Sequence, residues 1–299
     1  MTRCAYVNGA YVALGSDAIS MEDRGFQFAD GVYEVWSLHR GRLLDRDAHV
    51  ARLERSLAEL RIAMPLSRAA LLVVLGETIR RNRIREGLVY LQITRGAAPR
   101  DHAFPGNVEP TVVVTVRRLD QAALARRARD GVRVITTPDI RWGRCDIKSV
   151  SLLPNVLAKQ AAREAGAYEA WLVDDDGYVT EGTSSTAWIV DGQDCLRTRA
   201  LGTDILPGIT RAALLSLARE RQMAVDERAF TVAEAKAAKE AFMSSASGVV
   251  APVVAIDGVT IGAGAPGPIS RALRDAYFEG AERETTGSHV AAHTRPTLG

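Results

Sequence analysis

The chain has 299 residues, of which 47% are hydrophobic and 25% are charged, and its formal net charge at pH 7 is +2. This length allows one large core or two smaller ones, and the balanced charge, without a basic run, argues against a nucleic-acid partner. Three cysteines, an odd number, argue against a disulfide framework. No apolar stretch is long enough to span a membrane, and the N-terminal residues lack the apolar core of a secretory signal, so we expect a soluble cytoplasmic protein.

The first 120 residues predict a small domain of strands and two helices. The hairpin signal Asn8-Gly9 separates two short apolar runs, and residues 32–38 alternate between apolar and polar side chains as a strand does. A helix is expected after Asp45 or Asp47, and a second one from about Ser67. Two further strands are predicted at 88–94 and 111–116.

The chain from residue 121 to 284 predicts a larger, β-rich domain, and 285–299 is expected to be a disordered tail. A charged, Ala-rich stretch at 117–130 is either an interdomain connection or a helix. Helices are expected at 152–165, from about Ile209, after the capping box of Thr231 and Glu234, and at 269–282. Strands are expected at 132–135, 168–173, 178–181, 187–190, 242–243 and 249–256. Strict alternation of strands and helices is absent, so the predicted fold class is α+β and not a doubly wound sheet.

Lysine usage indicates one candidate nucleophile. Only four of the 38 basic residues are lysine, and arginine cannot supply a nucleophilic amine because its guanidinium stays protonated. Lys159, Lys236 and Lys239 lie in patterns typical of helix surfaces, whereas Lys148 follows Cys145 without helical periodicity. Lys148 is therefore either a solvated loop residue or the reactive amine of the protein.

Four other local patterns each have a functional and a purely structural interpretation. The turn at 206–211 precedes a helix, whose N-terminus either holds a phosphate or is simply a helix start. Ser244–Gly248 is either an anion-binding nest or a polar loop. Arg100 and His102 follow a strand and either bind a carboxylate or are solvated charges. Glu181 is either a buried acid that faces a ligand or a surface residue.

An amine, a carboxylate, phosphate-type sites and a carboxylate clamp are together the groups that pyridoxal phosphate chemistry requires. Their order in the chain resembles the class IV aminotransferases, which are fold type IV pyridoxal phosphate enzymes, and most closely the members that act on D-amino acids. The resemblance extends from Tyr6 to about Tyr277 and rests on residues 22–35, 92–96, 99–102, 139–149, 168–170, 179–185 and 208–211. It implies a small α/β N-terminal domain, a larger barrel-like C-terminal domain and a homodimer with its active sites near the subunit interface.

The resemblance also implies roles for individual residues. Lys148 would form a Schiff base with pyridoxal 5'-phosphate and move a proton between the substrate Cα and the cofactor, and Glu181 would pair with the pyridine nitrogen. The remaining cofactor contacts would be made by Arg52, Ile209, Thr210 and Ser245 at the phosphate, by Leu206 against the ring, and by Arg141 with Glu34 near the phenolic oxygen. Tyr33, Arg100 and His102 would bind the substrate α-carboxylate, and no metal is expected.

Two positions depart from the family pattern. Ala246 stands where relatives usually carry a threonine that binds the phosphate, and Ser245, Ser247 and backbone N–H groups are expected to compensate. The loss of one neutral hydrogen bond is worth only about 0.5–1.5 kcal/mol, so we expect a modest loss of cofactor affinity. Val249 stands where the D-amino acid enzymes carry a glutamate, which makes this loop more apolar.

The sequence therefore predicts an enzyme that transfers the amino group of D-alanine to 2-oxoglutarate in a ping-pong cycle, releasing pyruvate and D-glutamate. Its partners would be amino acids, keto acids and a second copy of itself, with no nucleic acid and no membrane. Two alternatives of the same fold are a transaminase for branched-chain L-amino acids or (R)-amines and a lyase similar to aminodeoxychorismate lyase. A protein that binds pyridoxal phosphate without turnover is a third alternative, against which the presence of both Lys148 and Glu181 argues.

Overall fold

A computed structural model describes the backbone of residues 3–290 and the side chains of residues 3–281. Its helices are α1 (Arg24–Phe28), α2 (Arg46–Glu59), α3 (Arg68–Asn82), α4 (Gln121–Asp130), α5 (Leu153–Glu164), α6 (Ile209–Glu220), α7 (Val232–Lys236) and α8 (Pro268–Val290). Its strands are β1 (Cys4–Val7), β2 (Ala10–Ala13), β3 (Gly31–His39), β4 (Arg42–Leu43), β5 (Gly87–Thr94), β6 (Thr111–Arg118), β7 (Val132–Pro138), β8 (Glu169–Val173), β9 (Val179–Gly182), β10 (Thr186–Val190), β11 (Leu196–Thr198), β12 (Val225–Glu227), β13 (Glu240–Ser245), β14 (Val249–Ile256) and β15 (Val259–Thr260). None of the helices within 3–290 is long and apolar enough to cross a membrane.

The described chain divides into two compact units that are not continuous in sequence. Among the described residues, unit 1 contains 3–124, Asp139–Gln160 and Leu201–Ile209, and unit 2 contains the intervening segments and residues 210–290. The sequence predicts continuous domains with a boundary at residue 120. The structure differs because two later segments, one of which carries Lys148, pack with the first part of the chain.

Unit 1 contains a six-stranded antiparallel sheet in the order β2-β1-β6-β5-β3-β4. The predicted turn at Asn8-Gly9 is confirmed, because both residues have the positive φ that a tight hairpin turn requires. Helices α2 and α3 cover one face of the sheet. Their apolar residues, among them Leu53, Leu57 and Leu71, join those of β3, β5 and β6 in one core.

The alternation of β3 places neighbouring residues on opposite faces of this sheet. Val32, Trp36 and Leu38 point into the core beneath the helices. Glu34 belongs to the same set by its position and is fully buried, whereas Tyr33 points to the other face and is only half-buried. One strand therefore supplies two side chains of the predicted site in two different surroundings.

Unit 2 contains a nine-stranded mixed sheet in the order β12-β11-β10-β13-β14-β7-β8-β9, with β15 beside β14. β7 pairs in parallel with β8 and β14, and β11 pairs in parallel with β12. β9, at one end of this order, packs beside β10, so the sheet curls back on itself. The core includes Trp171, Phe230 and Met243.

Most predicted elements are confirmed, and the differences lie in short or irregular segments. The stretch at 117–130 contains a helix, α4, and the capping box of Thr231 and Glu234 begins α7 as expected. Asp45 occupies the N-cap of α2. Its backbone is left-handed, and its side chain makes no capping hydrogen bond. The short elements α1, β11, β12 and β15 have no periodicity that the sequence could show.

The last helix is longer than expected. Helix α8 continues to Val290, so the prediction of an irregular tail from Thr285 is wrong for residues 285–290. The rest of that prediction, at 291–299, lies outside the described residues. Lys239 also differs from its expected helical context, because it lies between α7 and β13.

Candidate active site

Lys148 lies in an irregular segment that is bound to the rest of unit 1. Its carbonyl oxygen accepts a hydrogen bond from Tyr33 N–H at 2.9 Å, and its own N–H donates to Ser56 Oγ at 3.3 Å. The preceding residue, Ile147, is part of the unit 1 core. The backbone of Lys148 is therefore fixed, although no helix or strand contains it.

The amine of Lys148 faces an aromatic ring and not a carboxylate. Nζ lies 4.2 Å from the centroid of the Tyr33 ring. Within the described chain Lys148 forms no ion pair, whereas Lys236 and Lys239 each lie 2.9 Å from an aspartate oxygen. This amine, unlike those two, is available to react with an aldehyde.

Tyr33 is held in place by a second tyrosine on the neighbouring strand. The rings of Tyr33 and Tyr90 stack with centroids 5.7 Å apart and planes inclined by 28°. The hydroxyl of Tyr90 donates to Gln92 Oε1 at 2.7 Å. Burial, with a smaller contribution from Tyr33, raises the pKa of Tyr90 to about 12. Tyr90 therefore stays neutral and donates this bond throughout the physiological pH range.

On the opposite face of β3, Glu34 forms a buried cluster with two residues of α2. Arg52 donates to both carboxylate oxygens, Nε to Oε1 at 2.7 Å and Nη2 to Oε2 at 2.9 Å, and His49 Nδ1 lies 2.8 Å from Oε2. Burial alone would raise the pKa of Glu34, but the charges and hydrogen bonds of Arg52 and His49 lower it to about 2. Glu34 is therefore ionised and orients the Arg52 guanidinium.

Arg52 also binds the turn that precedes α6. Its Nη1 donates to the Pro207 carbonyl at 3.0 Å. The bonds to Glu34 and Pro207 use three of the five N–H hydrogens of a guanidinium, and Nη2 also lies 3.4 Å from His49 Nδ1. The second hydrogen of Nη1 is therefore the one left for an anion. The same turn carries half-buried Leu206 and leads into Ile209 and buried Thr210, where the first N–H groups of α6 have no partner within the helix.

Arg141 has partners of its own in unit 1. It donates to both oxygens of Asp139, at 2.8 and 2.6 Å, and to the Asp204 carbonyl at 2.9 Å. The side chains of Arg141 and Asp139 are only 6% and 11% exposed. The structure thus gives Glu34 and Arg141 separate polar partners, and their expected joint position at the phenolic oxygen stays a prediction.

Arg100 and His102 lie on an exposed loop and share one aromatic ring. The Arg100 guanidinium lies 4.6 Å from the centroid of the Phe28 ring, and the His102 ring lies 5.2 Å from it. Both side chains are therefore held near each other at the end of α1. Neither makes a hydrogen bond or an ion pair with Tyr33 within residues 3–281, so the structure does not bring all three predicted carboxylate ligands together.

Arg24, which the sequence analysis missed, holds this loop from beneath. It is almost fully buried, and its Nη1 and Nη2 donate to the carbonyls of Asp101 and His102 at 2.5 and 3.4 Å. Its Nε pairs with Asp30 at 2.8 Å, a carboxylate that Arg95 also binds at 2.7 Å. The only available signal was the position of Arg24 within the 22–35 motif.

In unit 2, Glu181 lies in β9, a strand whose residues are all buried. At Gly182, the last residue of β9, an added Cβ would lie 2.3 Å from Ser185 Oγ, so a side chain there would displace this hydroxyl. The buried carboxylate of Glu169 accepts a hydrogen bond from the Thr183 hydroxyl. Of the two interpretations that the sequence leaves open, Glu181 is therefore a buried acid and not a surface residue.

The predicted anion nest of unit 2 is the turn between β13 and β14. Ser245 Oγ lies 3.1 Å from Ser247 Oγ and accepts from Gly248 N–H at 3.3 Å. Ala246, at the position of the usual threonine, adds no hydroxyl. The turn therefore offers two hydroxyls and backbone N–H groups to an anion.

The chemistry of these groups fits pyridoxal 5'-phosphate. Lys148 supplies an amine that can condense with an aldehyde, and Glu181 supplies a buried carboxylate for a pyridine nitrogen. Arg52, the first turn of α6 and the hydroxyls of Ser245 and Ser247 are donors of the kind that hold a phosphate.

Comparison with known proteins agrees with this chemistry. The family profile described as amino-transferase class IV matches residues 31–256. The D-alanine aminotransferase of Bacillus licheniformis is 42% identical over 278 residues, which are 93% of this chain and 97% of that protein. The D-alanine aminotransferase of Staphylococcus haemolyticus is 37% identical over 279 residues, again 93% and 97% of the two chains.

Solved structures confirm the predicted fold type IV architecture. The T.th. branched-chain amino acid aminotransferase, solved with pyridoxamine 5'-phosphate, has a TM-score of 0.84 at 26% identity, covering 93% of this chain and 94% of that one. The branched-chain amino acid aminotransferase of Escherichia coli has a TM-score of 0.83 at 22% identity with the same coverage, a similarity of fold. With a family profile matched over most of its length and near full-length relatives above 30% identity, the chain belongs to the class IV aminotransferases.

Proposed function

We propose that this aminotransferase transfers the amino group of D-amino acids, using D-alanine and 2-oxoglutarate to form pyruvate and D-glutamate. The observation that carries the proposal is the pair of Arg100 and His102 against the Phe28 ring, at 4.6 and 5.2 Å. A guanidinium and an imidazole held together can bind an α-carboxylate from one side. The two D-alanine aminotransferases that align over nearly the whole chain support the same substrate class.

Pyridoxal 5'-phosphate, when bound, supplies an electron sink that stabilises negative charge at the substrate Cα. Lys148 is the residue that moves the proton, accepting it at Nζ from the substrate Cα. Tyr33 lies beside this amine and limits its position to one side of the ring, since Nζ is 4.2 Å from the ring centroid. The fixed backbone of Lys148 restricts the reach of the amine further, which favours transfer on one face of the substrate.

The remaining predicted residues would bind and orient the cofactor. Glu181, a buried carboxylate, would hold a proton at the pyridine nitrogen. Arg52, the N–H groups of Ile209 and Thr210, and Ser245 would hold the phosphate, and Leu206 would pack against the ring. Glu34 keeps Arg52 oriented, because both of its oxygens accept from this guanidinium.

We further propose that the enzyme is a homodimer in which Arg100 and His102 serve the site of the partner. Both residues are exposed, and the nearby apolar side chains of Met21 and Phe26 are 84% and 78% exposed, which favours a protein interface there. Mixed dimers of Lys148→Ala and Arg100→Ala subunits test this. If the loop acts across the dimer, the mixture should regain about a quarter of wild-type activity, since half the dimers have one complete site. No recovery would mean that the loop acts within its own subunit.

The visible spectrum of the holoenzyme tests the substrate. D-alanine should bleach the absorption band of the bound cofactor and release pyruvate in one turnover, whereas L-alanine should do neither. Lys148→Ala should lose this response, and Lys236→Ala, which removes an ion-paired lysine, should keep it. Equal bleaching by both enantiomers would overturn the stereochemical proposal.

The same assay separates the alternatives. Faster reaction with L-leucine or with (R)-1-phenylethylamine than with D-alanine would indicate a transaminase of the other two types. Repeated pyruvate release from D-alanine without 2-oxoglutarate would indicate a lyase, because a transaminase stops after one turnover until a keto acid restores its cofactor.

A further inference from the structure

Val249 has a backbone conformation that a β-branched residue rarely adopts. It begins β14 directly after the turn at 246–248, its φ is +58°, and its side chain is 3% exposed. A side chain in the left-handed region costs about 1–2 kcal/mol for ordinary residues, and a branched Cβ worsens the crowding. Such an outlier persists only where its surroundings hold it.

Arg274 of α8 is the group that holds it. Its Nη1 donates to the Gly248 carbonyl at 2.6 Å and to the Val250 carbonyl at 2.9 Å, so one nitrogen bridges the residues on either side of Val249. The guanidinium also lies 5.0 Å from the centroid of the Phe278 ring. Both of these hydrogen bonds end on neutral carbonyl oxygens.

Helix α8 is anchored to the same strand pair, which makes Arg274 a rigid support. The buried carboxylate of Glu240, the first residue of β13, accepts from the N–H groups of Ile269 and Ser270 at 2.8 and 2.9 Å. It also accepts from the Ser270 hydroxyl at 2.8 Å. β13 therefore leads into the turn and also binds the start of α8. Arg274, further along α8, binds the carbonyls at the end of the same turn.

We propose that Arg274 is a positioning residue for the cofactor phosphate. By holding the carbonyls of Gly248 and Val250, it keeps Val249 in its strained conformation and so keeps the turn at 245–248 closed around Ser245 Oγ. In that conformation the hydroxyls of Ser245 and Ser247 and the adjoining N–H groups are preorganised for a dianion. The inference rests on the proposed assignment of this turn to the phosphate of pyridoxal 5'-phosphate.

The test compares two ligands that differ only in the phosphate. Pyridoxal 5'-phosphate and pyridoxal are titrated separately into full-length, cofactor-free protein, and binding is followed by tryptophan fluorescence. Without Arg274 the strain at Val249 is unopposed, and a strain of about 1–2 kcal/mol corresponds to a five- to thirtyfold lower fraction of the closed turn. Arg274→Met should therefore raise the Kd of pyridoxal 5'-phosphate by about that factor and leave the Kd of pyridoxal unchanged.

Arg271→Met is the matched control. Arg271 lies on the same helix, one turn earlier, and its exposed guanidinium donates to the Pro266 carbonyl, away from the turn. This variant removes the same charge from α8 and should leave both dissociation constants unchanged. Arg274→Lys keeps the charge and one donor, so an intermediate Kd is expected, and it replaces the methionine variant if that protein does not fold.

A second substitution that removes the strain at Val249 should restore the binding of pyridoxal 5'-phosphate. Glycine adopts a φ of +58° without a steric cost, so Val249→Gly added to Arg274→Met should recover most of the lost affinity for pyridoxal 5'-phosphate. Unchanged affinity in Arg274→Met and Arg274→Lys, or an equal loss for both ligands, would overturn the role of Arg274. If the wild-type protein itself binds pyridoxal as tightly as pyridoxal 5'-phosphate, the phosphate assignment fails instead, and the two failures are thus distinguishable.

Discussion

Replacement of Glu34 by glutamine is expected to destabilise unit 1 strongly. Glu34 is fully buried, and its two oxygens bind Arg52 and His49. The substitution keeps the shape of the side chain but leaves the Arg52 guanidinium without its counter-charge. Removing one partner of a buried ion pair costs about 3–5 kcal/mol.

The pKa of Glu34 gives a separate measure of the same interaction. Burial opposes ionisation, but Arg52 and His49 lower the pKa from the ordinary value of 4.5 to about 2. At about 1.4 kcal/mol per pH unit, this corresponds to about 3 kcal/mol of stability. Because the folded-state pKa lies below the unfolded one, this stability is complete above the unfolded value and is lost as the pH falls towards 2.

Glu77 provides a matched control. Its pKa is also about 2, lowered by hydrogen bonds from Arg80 and Arg81, but it lies on the surface of α3. Surface ion pairs contribute little, so Glu77→Gln should leave the free energy of unfolding nearly unchanged. Urea unfolding gives the free energy of unfolding of both variants at pH 7 and at lower pH. Hydrogen exchange of the β3 amides is a second measurement on the same proteins.

The expected result is a loss of about 3 kcal/mol or more for Glu34→Gln at pH 7, with a gap to wild type that narrows between about pH 5 and pH 3. Equal effects of the two glutamine variants, or a gap that does not change with pH, would refute this reasoning.

Three further changes test other parts of the structure. Arg24→Lys removes the two Nη donors to the carbonyls of Asp101 and His102. It should raise the KM for D-alanine about tenfold without changing the Kd of pyridoxal 5'-phosphate. An unchanged KM would contradict the role of Arg24. Ala246→Thr supplies the missing hydroxyl and should tighten cofactor binding by about 0.5–1.5 kcal/mol in a fluorescence titration, whereas weaker binding would show that the turn does not hold the phosphate. Glu240→Ala leaves two N–H groups of α8 without an acceptor and should lower the free energy of unfolding by about 1–3 kcal/mol, and an unchanged melting temperature would count against this cap.

The sequence predicted those parts of the fold that depend on local periodicity and turn chemistry. The alternation of residues 32–38 identified β3 correctly, and with it the separation of Tyr33 from Glu34. The Asn8-Gly9 turn and the capping box at Thr231 have local signals that tertiary contacts did not override. Lys148 and Glu181 were identified by residue type and motif, and their surroundings in the structure suit the proposed roles.

The supporting residues could not be predicted, because their contacts join distant parts of the chain. Arg24 binds carbonyls 77 and 78 positions later, and nothing in its five-residue helix indicates this. Arg274 reaches back 26 positions to Gly248, and one arginine among 34 carries no local mark of such a contact. The positive φ of Val249 could not be predicted either, because that conformation is typical of glycine and not of valine.

The covalent bond between Lys148 Nζ and the cofactor is the most direct test of the proposed chemistry. Borohydride reduction of the holoenzyme, followed by proteolysis and mass spectrometry, locates the modified lysine among the four in the chain. A single modified peptide that contains Lys148 is expected. A label on Lys159, Lys236 or Lys239, or no label at all, would contradict it.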